Sequence, residues 1–538
     1  MTIQLLTHPN IWVAGRSTAP HTRPNAIVVV DGKIEFVGEE TEAESFANAY
    51  ARELGETAAV TKTALPGAVL LPGFHDAHIH LGAFASERNT PELREARSHQ
   101  ECVTQLRAWV NARPDRDRDR WVTGGRWDQN LWPAGDAAPH RSTLDEIFGQ
   151  QPVTLGSLDG HTQWVNSAAL QLAGITDDTP DPDGGRIERD EHGTATGILR
   201  ETAMNPVMHL AEAQAAAQLR EQLEVAQHDL HALGITHVTD FDPEAVTEAL
   251  AEMRDAGTLT LRVHKGVQLF DLEKALAEGR TTGYGDNWIT TGPLKLFADG
   301  ALGSLTAHLS EAYAGDPHNC GMAVTSAAEL SRHVAAVNRA GIAVAVHAIG
   351  DRAVTTVLDA FETAQTPGIT NRVEHAQHIR PADLPRFKKL GVVASMQPIH
   401  ATADYPLSQN LLGDRDVAHY PWRSLLGHDA TVVFGSDAPI ETPSIIAGIH
   451  AAVTRENSDG EPAGGREPEE RISVDEAIRS YTETPAKAAG LSRAGSIAPG
   501  CYADFVMLDR DPRTTPAREI AHINVVETIV AGRTVYRA

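Results

Sequence analysis

The feature that most limits how this chain can fold is an alternation, kept up over most of its length, of short apolar runs with longer helical patterns. Candidate strands occupy 68–71, 235–239, 259–264, 294–297, 342–347, 372–375, 392–396 and 431–435, and helix-like stretches such as 211–233 and 327–340 lie between them. Strands joined through helices lie parallel, and about eight such units close a β/α-barrel of roughly 250 residues. The chain has 538 residues, so it must hold more than a bare barrel. The stretch between the first two candidate strands is far too long for one helix. It carries five of the eight tryptophans (Trp109, Trp121, Trp127, Trp132, Trp164) and reads as an inserted subdomain or lid at about 83–215.

Both chain ends have a different texture. Residues 26–30 (AIVVV) form a β-branched run, Asp31-Gly32 is a hairpin signal, and 33–38 return as a strand. Near the other end, 495–500 is a turn, 503–508 a strand, and 524–530 and 533–536 flank Ala531-Gly532. These patterns predict one small β domain assembled from residues 1–72 and 488–538, around a barrel spanning 73–487. The expected class is therefore α/β: a TIM-like (β/α)8 barrel with a small β domain made by both ends.

The chemistry sits at the strand ends. In LPGFHDAHIH (71–80), His78 and His80 are two residues apart in an extended segment, so both imidazoles face one side and can reach one cation. Taken alone, such a pair is a weak signal. Lys295 lies inside the apolar strand of PLKLFADG, where an unpaired ammonium would be costly. His347 ends IAVAVH, His375 ends RVEH, and Asp437 follows TVVFGS. Taken singly, each reads most simply as a core histidine, a surface aspartate or a lysine paired with Asp299. Their coincidence at the ends of successive strands is hard to assign to packing, because the C-terminal ends of barrel strands converge on one mouth.

The order HxH, Lys, His, His, Asp over about 360 residues resembles the amidohydrolase superfamily. The segments PGFHDAHIHLG, WDQNLWP, DGHTQWVNSAAL, KLFADGALGSLTA, VHAIGDRAV, RVEHAQ and GSDAPI resemble its YtcJ-like branch, which includes N-substituted formamide deformylases. The resemblance implies that the two chain ends form a small β-sandwich, and that His78, His80 and Asp437 bind the more buried of one or two divalent cations, zinc being the first expectation. It implies that Lys295 is the position carboxylated to a bridging carbamate in binuclear members, and that His347 and His375 hold a second cation. A lysine left as an ammonium has no lone pair to offer, and the site would then be mononuclear. Imidazole-rich sites also suit iron, nickel or copper, and a carboxylate or carbamate admits manganese.

The mechanism expected of such a site is attack of a metal-bound hydroxide on a carbonyl, since zinc brings the pKa of its water to about 7. Asp437 is the natural general base and returns the proton to the leaving amine, so the catalytic group is Asp437, Lys295 and His375. Substrate contacts are expected from Trp127, His161 and Trp164 in the insertion, and from Gln397 and His400 in SMQPIH after the seventh strand. Asp128, Trp132, Asp159, Gly160 and Asn166 are further lining candidates, and Glu201 is an additional acid or ligand candidate. All of these serve equally well for packing within the insertion.

The reaction expected is hydrolysis of a non-peptide C–N bond in an amide, N-substituted formamide or cyclic amide. Deamination of an aminated heterocycle is the second reading. Deaminases of the superfamily usually carry HxxE at the fifth strand, whereas His347 is followed by AIGD and Lys295 is present. A lactonase or ester hydrolase is a third reading, because the same nucleophile attacks either carbonyl. A binding protein on a retired scaffold would be expected to lack one of the six metal candidates, and none is lost.

Charge and cysteines bound the partners. With 72 acidic against 46 basic residues the net charge is -26, a surface that repels phosphate backbones and anionic lipid. Nucleic acid and membranes are therefore not expected partners; a small amide-like molecule is, and a homodimer fits an enzyme of this size. No window reaches the roughly 18 apolar residues of a membrane helix, and the start lacks the features of a secretory signal. Cys102, Cys320 and Cys501 lie far apart and form no CxxC pair, as expected in the cytoplasm.

Overall fold

The computed structural model describes residues 2–14, 24–54, 59–87, 90–158, 161–364 and 366–538, with backbone only at 130 and 215–217. The chain forms two compact units, one from Met1–Leu81 with Leu223–Ala538 and one from Gly82–Gln222.

In the first unit eight parallel strands form a nearly closed barrel: Phe74–Ile79 (β1), Ile235–Asp240 (β2), Arg262–Val267 (β3), Ile289–Phe297 (β4), Val344–Ala348 (β5), Arg372–His375 (β6), Val393–Met396 (β7) and Thr431–Phe434 (β8). Each pairs with its sequence neighbour, as parallel strands joined by helical crossovers do. The seam between β8 and β1 has no full ladder. It is closed at the strand ends, where the Asp437 amide donates to the His78 carbonyl (2.7 Å) and the His80 amide to the Ala438 carbonyl (2.9 Å). The last stitch of the barrel thus runs through three candidate metal residues.

The first barrel strand is not the one expected from the sequence. Val69–Pro72 instead pairs antiparallel with Phe505–Leu508 in the terminal β domain, and the chain enters the barrel only after Gly73. Phe74–Ile79 (FHDAHI) is as completely buried as Val69–Pro72, but His75, Asp76 and His78 keep it from reading as an apolar run. The third strand likewise begins at Arg262, later than its apolar run suggests.

Two four-stranded sheets make the terminal β domain. One contains Ile3–Thr7, Ala26–Val30, Lys33–Gly38 and Val60–Ala64; the other contains Val69–Pro72, Phe505–Leu508, Val525–Val530 and Arg533–Arg537. Leu6, Ile27, Val29 and Ile34 of the first pack with Leu70, Phe505, Met507 and Ile529 of the second. Alternate residues of each strand supply this layer, as in any sheet buried on one face. The hairpin at Asp31-Gly32 forms, with both residues at positive φ. Helix Glu40–Leu54 is an element that the β-like reading of this end missed. It buries a narrow edge through Ala43 and Ala47, too small a stripe to register as an apolar period.

The second unit holds a five-stranded sheet flanked by helices, with strands in the order Gly185–Arg189, Ala195–Glu201, Thr162–Val165, Thr154–Ser157 and Gly125–Trp127. Its tryptophans are largely internal: Trp127, Trp132 and Trp164 are buried together with Leu106, Phe148 and Leu155. Among the described residues no helix is long and apolar enough to cross a membrane.

Candidate metal centre

The strand-end residues of the barrel meet in one place. His78 Nε2 lies 3.4 Å and His80 Nε2 3.5 Å from Asp437 Oδ1. A tetrahedral cation with arms of about 2.1 Å has ligand–ligand edges of about 3.4 Å. Two groups of three side chains present ligand atoms within 4.8 Å of one another: His78, His80 and Asp437, and His375, His400 and Asp437. Asp437 belongs to both.

Each imidazole of the first group is held from behind. His78 Nδ1 faces Glu374 Oε2 at 2.6 Å, and His80 Nδ1 faces Asp242 Oδ1 at 2.9 Å. A carboxylate at Nδ1 fixes the proton there and leaves the Nε2 lone pair for a cation. His375 Nδ1 similarly meets Gln397 Oε1 at 2.9 Å. Among the described residues His400 Nε2 is buried without a hydrogen-bond partner, which suits a ligand atom. The donor set of imidazoles and one carboxylate therefore fits a divalent metal.

Burial keeps the imidazoles in the ligating form. It drives the pKa of His78 well below the ordinary value, with the charges of Lys295, His80 and Arg372 adding to the effect. Burial and the neighbouring His347 do the same for His375, while burial and Lys295 bring His347 to about 4. His80 differs: burial opposes its charge, but the hydrogen bond and charge of Asp242 prevail and its pKa rises. Asp437 is raised by burial, which His400, His80 and Lys295 partly offset.

Lys295 Nζ lies 3.2 Å from His78 Nε2 and above the Phe241 ring at 4.6 Å. The amine is fully buried, which lowers its pKa to about 8. It makes no pair with Asp299, whose carboxylate instead accepts amide hydrogens from His308, Ile349 and Gly350. His347 stands 4.5 Å from the His375 ring, centroid to centroid, with Nε2 3.1 Å from the Gly300 carbonyl oxygen; it is in neither group of three.

Local backbone explains how these side chains converge. His375 (φ 68°) and Asp437 (φ 60°) both adopt the left-handed conformation, which costs non-glycine residues about 1–3 kcal/mol and persists only where the surroundings enforce it. The twist turns each side chain into the mouth as its strand ends. Asp76 ties the seam beneath them, accepting from the Ser436 amide (2.9 Å) and hydroxyl (2.5 Å) and from the His78 amide (3.2 Å).

The other expected contacts have these places. Gln397 is completely buried behind His375, and His400 stands beside Asp437 in helix Pro398–Ala403. In the second unit Trp164 is fully buried with its indole N–H donating to the His140 carbonyl, and Asn166 caps helix Ser167–Leu172. Trp127 and Asp128 line a pocket of that unit with Gln129, Thr162 and Arg200. His161 is exposed and 3.2 Å from Glu201. Asp159 and Gly160 lie outside the described residues. Sequence reasoning missed Glu374 and Asp242. A signal for the first was present in RVEH, where Arg372 and Glu374, two apart on a strand, share its inward face.

The amidohydrolase family model matches residues 64–536, which takes in every residue of this centre. The chain belongs to the amidohydrolase family. It is 31% identical to YtcJ of Bacillus subtilis (strain 168) over 524 residues, covering 96% of each protein. It is 31% identical to the N-substituted formamide deformylase of Arthrobacter pascens over 530 residues, covering 94% of each. A crystal structure described as an uncharacterized metal-dependent hydrolase from Pyrococcus horikoshii OT3 superposes with a TM-score of 0.76 at 28% identity, over 96% of this chain and 99% of that one. The cluster in this amidohydrolase is a potential metal-binding site consistent with a metal-dependent enzyme of the superfamily.

Proposed function

We propose that this amidohydrolase cleaves a carbon–nitrogen bond other than a peptide bond, in an amide, N-substituted formamide or cyclic amide. The observation that carries the reading is the convergence of two carboxylate-backed imidazoles on Asp437, with Lys295 beside them. The similarity to a protein named N-substituted formamide deformylase supports the substrate class.

His78, His80 and Asp437 would hold one cation; His375, Lys295 and a flanking His347 or His400 would hold a second. Zinc or a similar cation so held polarises a carbonyl and acidifies water. Asp437 takes the proton of the attacking water and passes it to the leaving amine; burial raises its proton affinity and equips it for both steps. Lys295 is proposed to be carboxylated. Carbamate formation needs the neutral amine, and a pKa of about 8 makes that form accessible near neutral pH. Gln397 orients His375 through its ring N–H. Trp127 and His161 are proposed to act on the substrate side, whereas Trp164 is enclosed in the core of the second unit. The protein is assigned to the cytoplasm, in keeping with three free cysteines.

The test is a substrate panel on metal-loaded protein: N-substituted formamides, N-acyl amines, cyclic amides, lactones and aminated heterocycles. Amine release from the formamides or amides is expected. Turnover confined to lactones, or ammonia release from the heterocycles alone, would overturn the assignment.

A further inference from the structure

Arg372 is buried in the barrel lumen, and its hydrogen bonds run to Glu374 on its own strand and to the two strands β1 and β7. Its Nε donates to Glu374 Oε1 at 2.8 Å, and its Nη2 to Glu374 Oε2 (3.2 Å), to the Ala77 carbonyl (2.8 Å) and to Ser395 Oγ (3.0 Å). Glu374 is completely buried, and its Oε2 also receives His78 Nδ1–H at 2.6 Å. An isolated buried ion pair of this kind seldom adds stability over an apolar pair, so its place in the lumen calls for another account. Three strands supply its parts: β6 gives Arg372 and Glu374, β7 gives Ser395, and β1 gives Ala77 and His78.

We propose that Glu374, braced by Arg372, is a positioning residue that sets the His78 tautomer and thereby the affinity of the barrel for its metal. The geometry carries the argument. Both Glu374 oxygens are engaged by Arg372, so the carboxylate cannot rotate away from His78. It accepts the Nδ1 hydrogen and leaves the Nε2 lone pair facing Asp437 and Lys295, 3.4 Å and 3.2 Å away. Glutamine at this position has a single oxygen. Arg372 claims it, the amide NH2 turns to His78 Nδ1, and the ring proton is driven to Nε2, where it blocks the cation. Arg372 matters because only its planar fork can engage both oxygens at once; lysine is a point charge.

This rests on the reading of His78 as a metal ligand, and one experiment separates the two. Metal-free wild type, Glu374→Gln and Arg372→Lys proteins are titrated with zinc against a chromophoric chelator, and thermal melts without metal report the fold. Glu374→Gln is expected to bind zinc about 10–100-fold more weakly, and Arg372→Lys several-fold more weakly, both with a single cooperative melt. Zinc affinity in Glu374→Gln within twofold of wild type would overturn the inference. Should that variant fail to fold, Arg372→Lys decides, and unchanged affinity there overturns it equally. Wild type that binds no zinc would instead overturn the metal reading of His78 itself.

Discussion

At the scale of single residues, the site works by fixing which nitrogen of each histidine is bare. The Nδ1 positions of His78, His80 and His375 are occupied by Glu374, Asp242 and Gln397, so the Nε2 atoms of His78 and His80 meet at Asp437. In the proposed mechanism Asp437 therefore carries two duties, ligand and proton carrier. Asp437→Asn keeps the shape and removes the proton acceptor. It is expected to lower kcat by about 10²–10⁴-fold, the usual worth of general acid–base catalysis, with an unchanged cooperative melt; wild-type kcat would remove Asp437 from the mechanism. The residues that end apolar runs were legible in the sequence: His347, His375 and Asp437 stand where a strand stops, and His78 and His80 alternate. Asp242 was not, having no pattern of its own, and for Glu374 the spacing in RVEH marks a shared strand face with Arg372 but not its partner His78, about 300 residues away. His400 was read as a substrate contact since its loop follows a strand, and periodicity says nothing of the helix that carries it beside Asp437.

At the scale of elements, the β8–β1 seam decides whether the ligands meet. A Cβ added to Gly435 would lie 2.4 Å from the His78 amide nitrogen and 2.8 Å from His78 Cβ. Backbone cannot yield as a side chain does, so β1 must shift away from Asp437. Gly435→Ala is expected to destabilise the fold by about 1–3 kcal/mol, as overpacking does, and to weaken zinc binding together with stability. Both are read from melts with and without zinc. A variant that matches wild type in both would show that the seam tolerates displacement and does not position the site. Most barrel strands were legible because they are buried apolar runs between helical stretches. Phe74–Ile79 was hidden by its own function, since the polar side chains that make the site also erase the apolar signal.

At the scale of the whole molecule, the polar barrel interior and the terminal β domain together bury histidines that must stay neutral. Burial lowers His231 and His237 to about 4 and His264 to about 3. In the unfolded chain each takes a proton near its ordinary value of about 6.5. Between that value and about 4 the unfolded state holds more protons, so stability is full above pH 6.5 and falls as pH drops through this window. Stability measured by denaturant titration is expected to decline steadily from pH 6.5 to 4, and His264→Gln, which leaves one fewer proton to take up, should flatten the slope. A flat profile, or one unaffected by this substitution, would contradict the assignment of these histidines as neutral. The architecture of this molecule was legible because alternation dictates a barrel and β-rich ends dictate a second small domain. The buried histidines were not separable from ligands by sequence, since 25 are scattered along the chain and only packing tells a dry one from a ligating one.

The central claim, that the strand-end cluster is a metal centre on which hydrolysis depends, is tested most directly by metal content. Elemental analysis of wild type and Lys295→Ala, purified without added metal and again after chelation and zinc or manganese refilling, would be followed alongside amine release from an N-substituted formamide. About two cations are expected per wild-type chain and about one in Lys295→Ala, with wild-type turnover lost on chelation and restored on refilling. One cation in the wild type would contradict the carboxylated lysine. No cation even after refilling, or turnover that survives its removal, would contradict the metal centre itself.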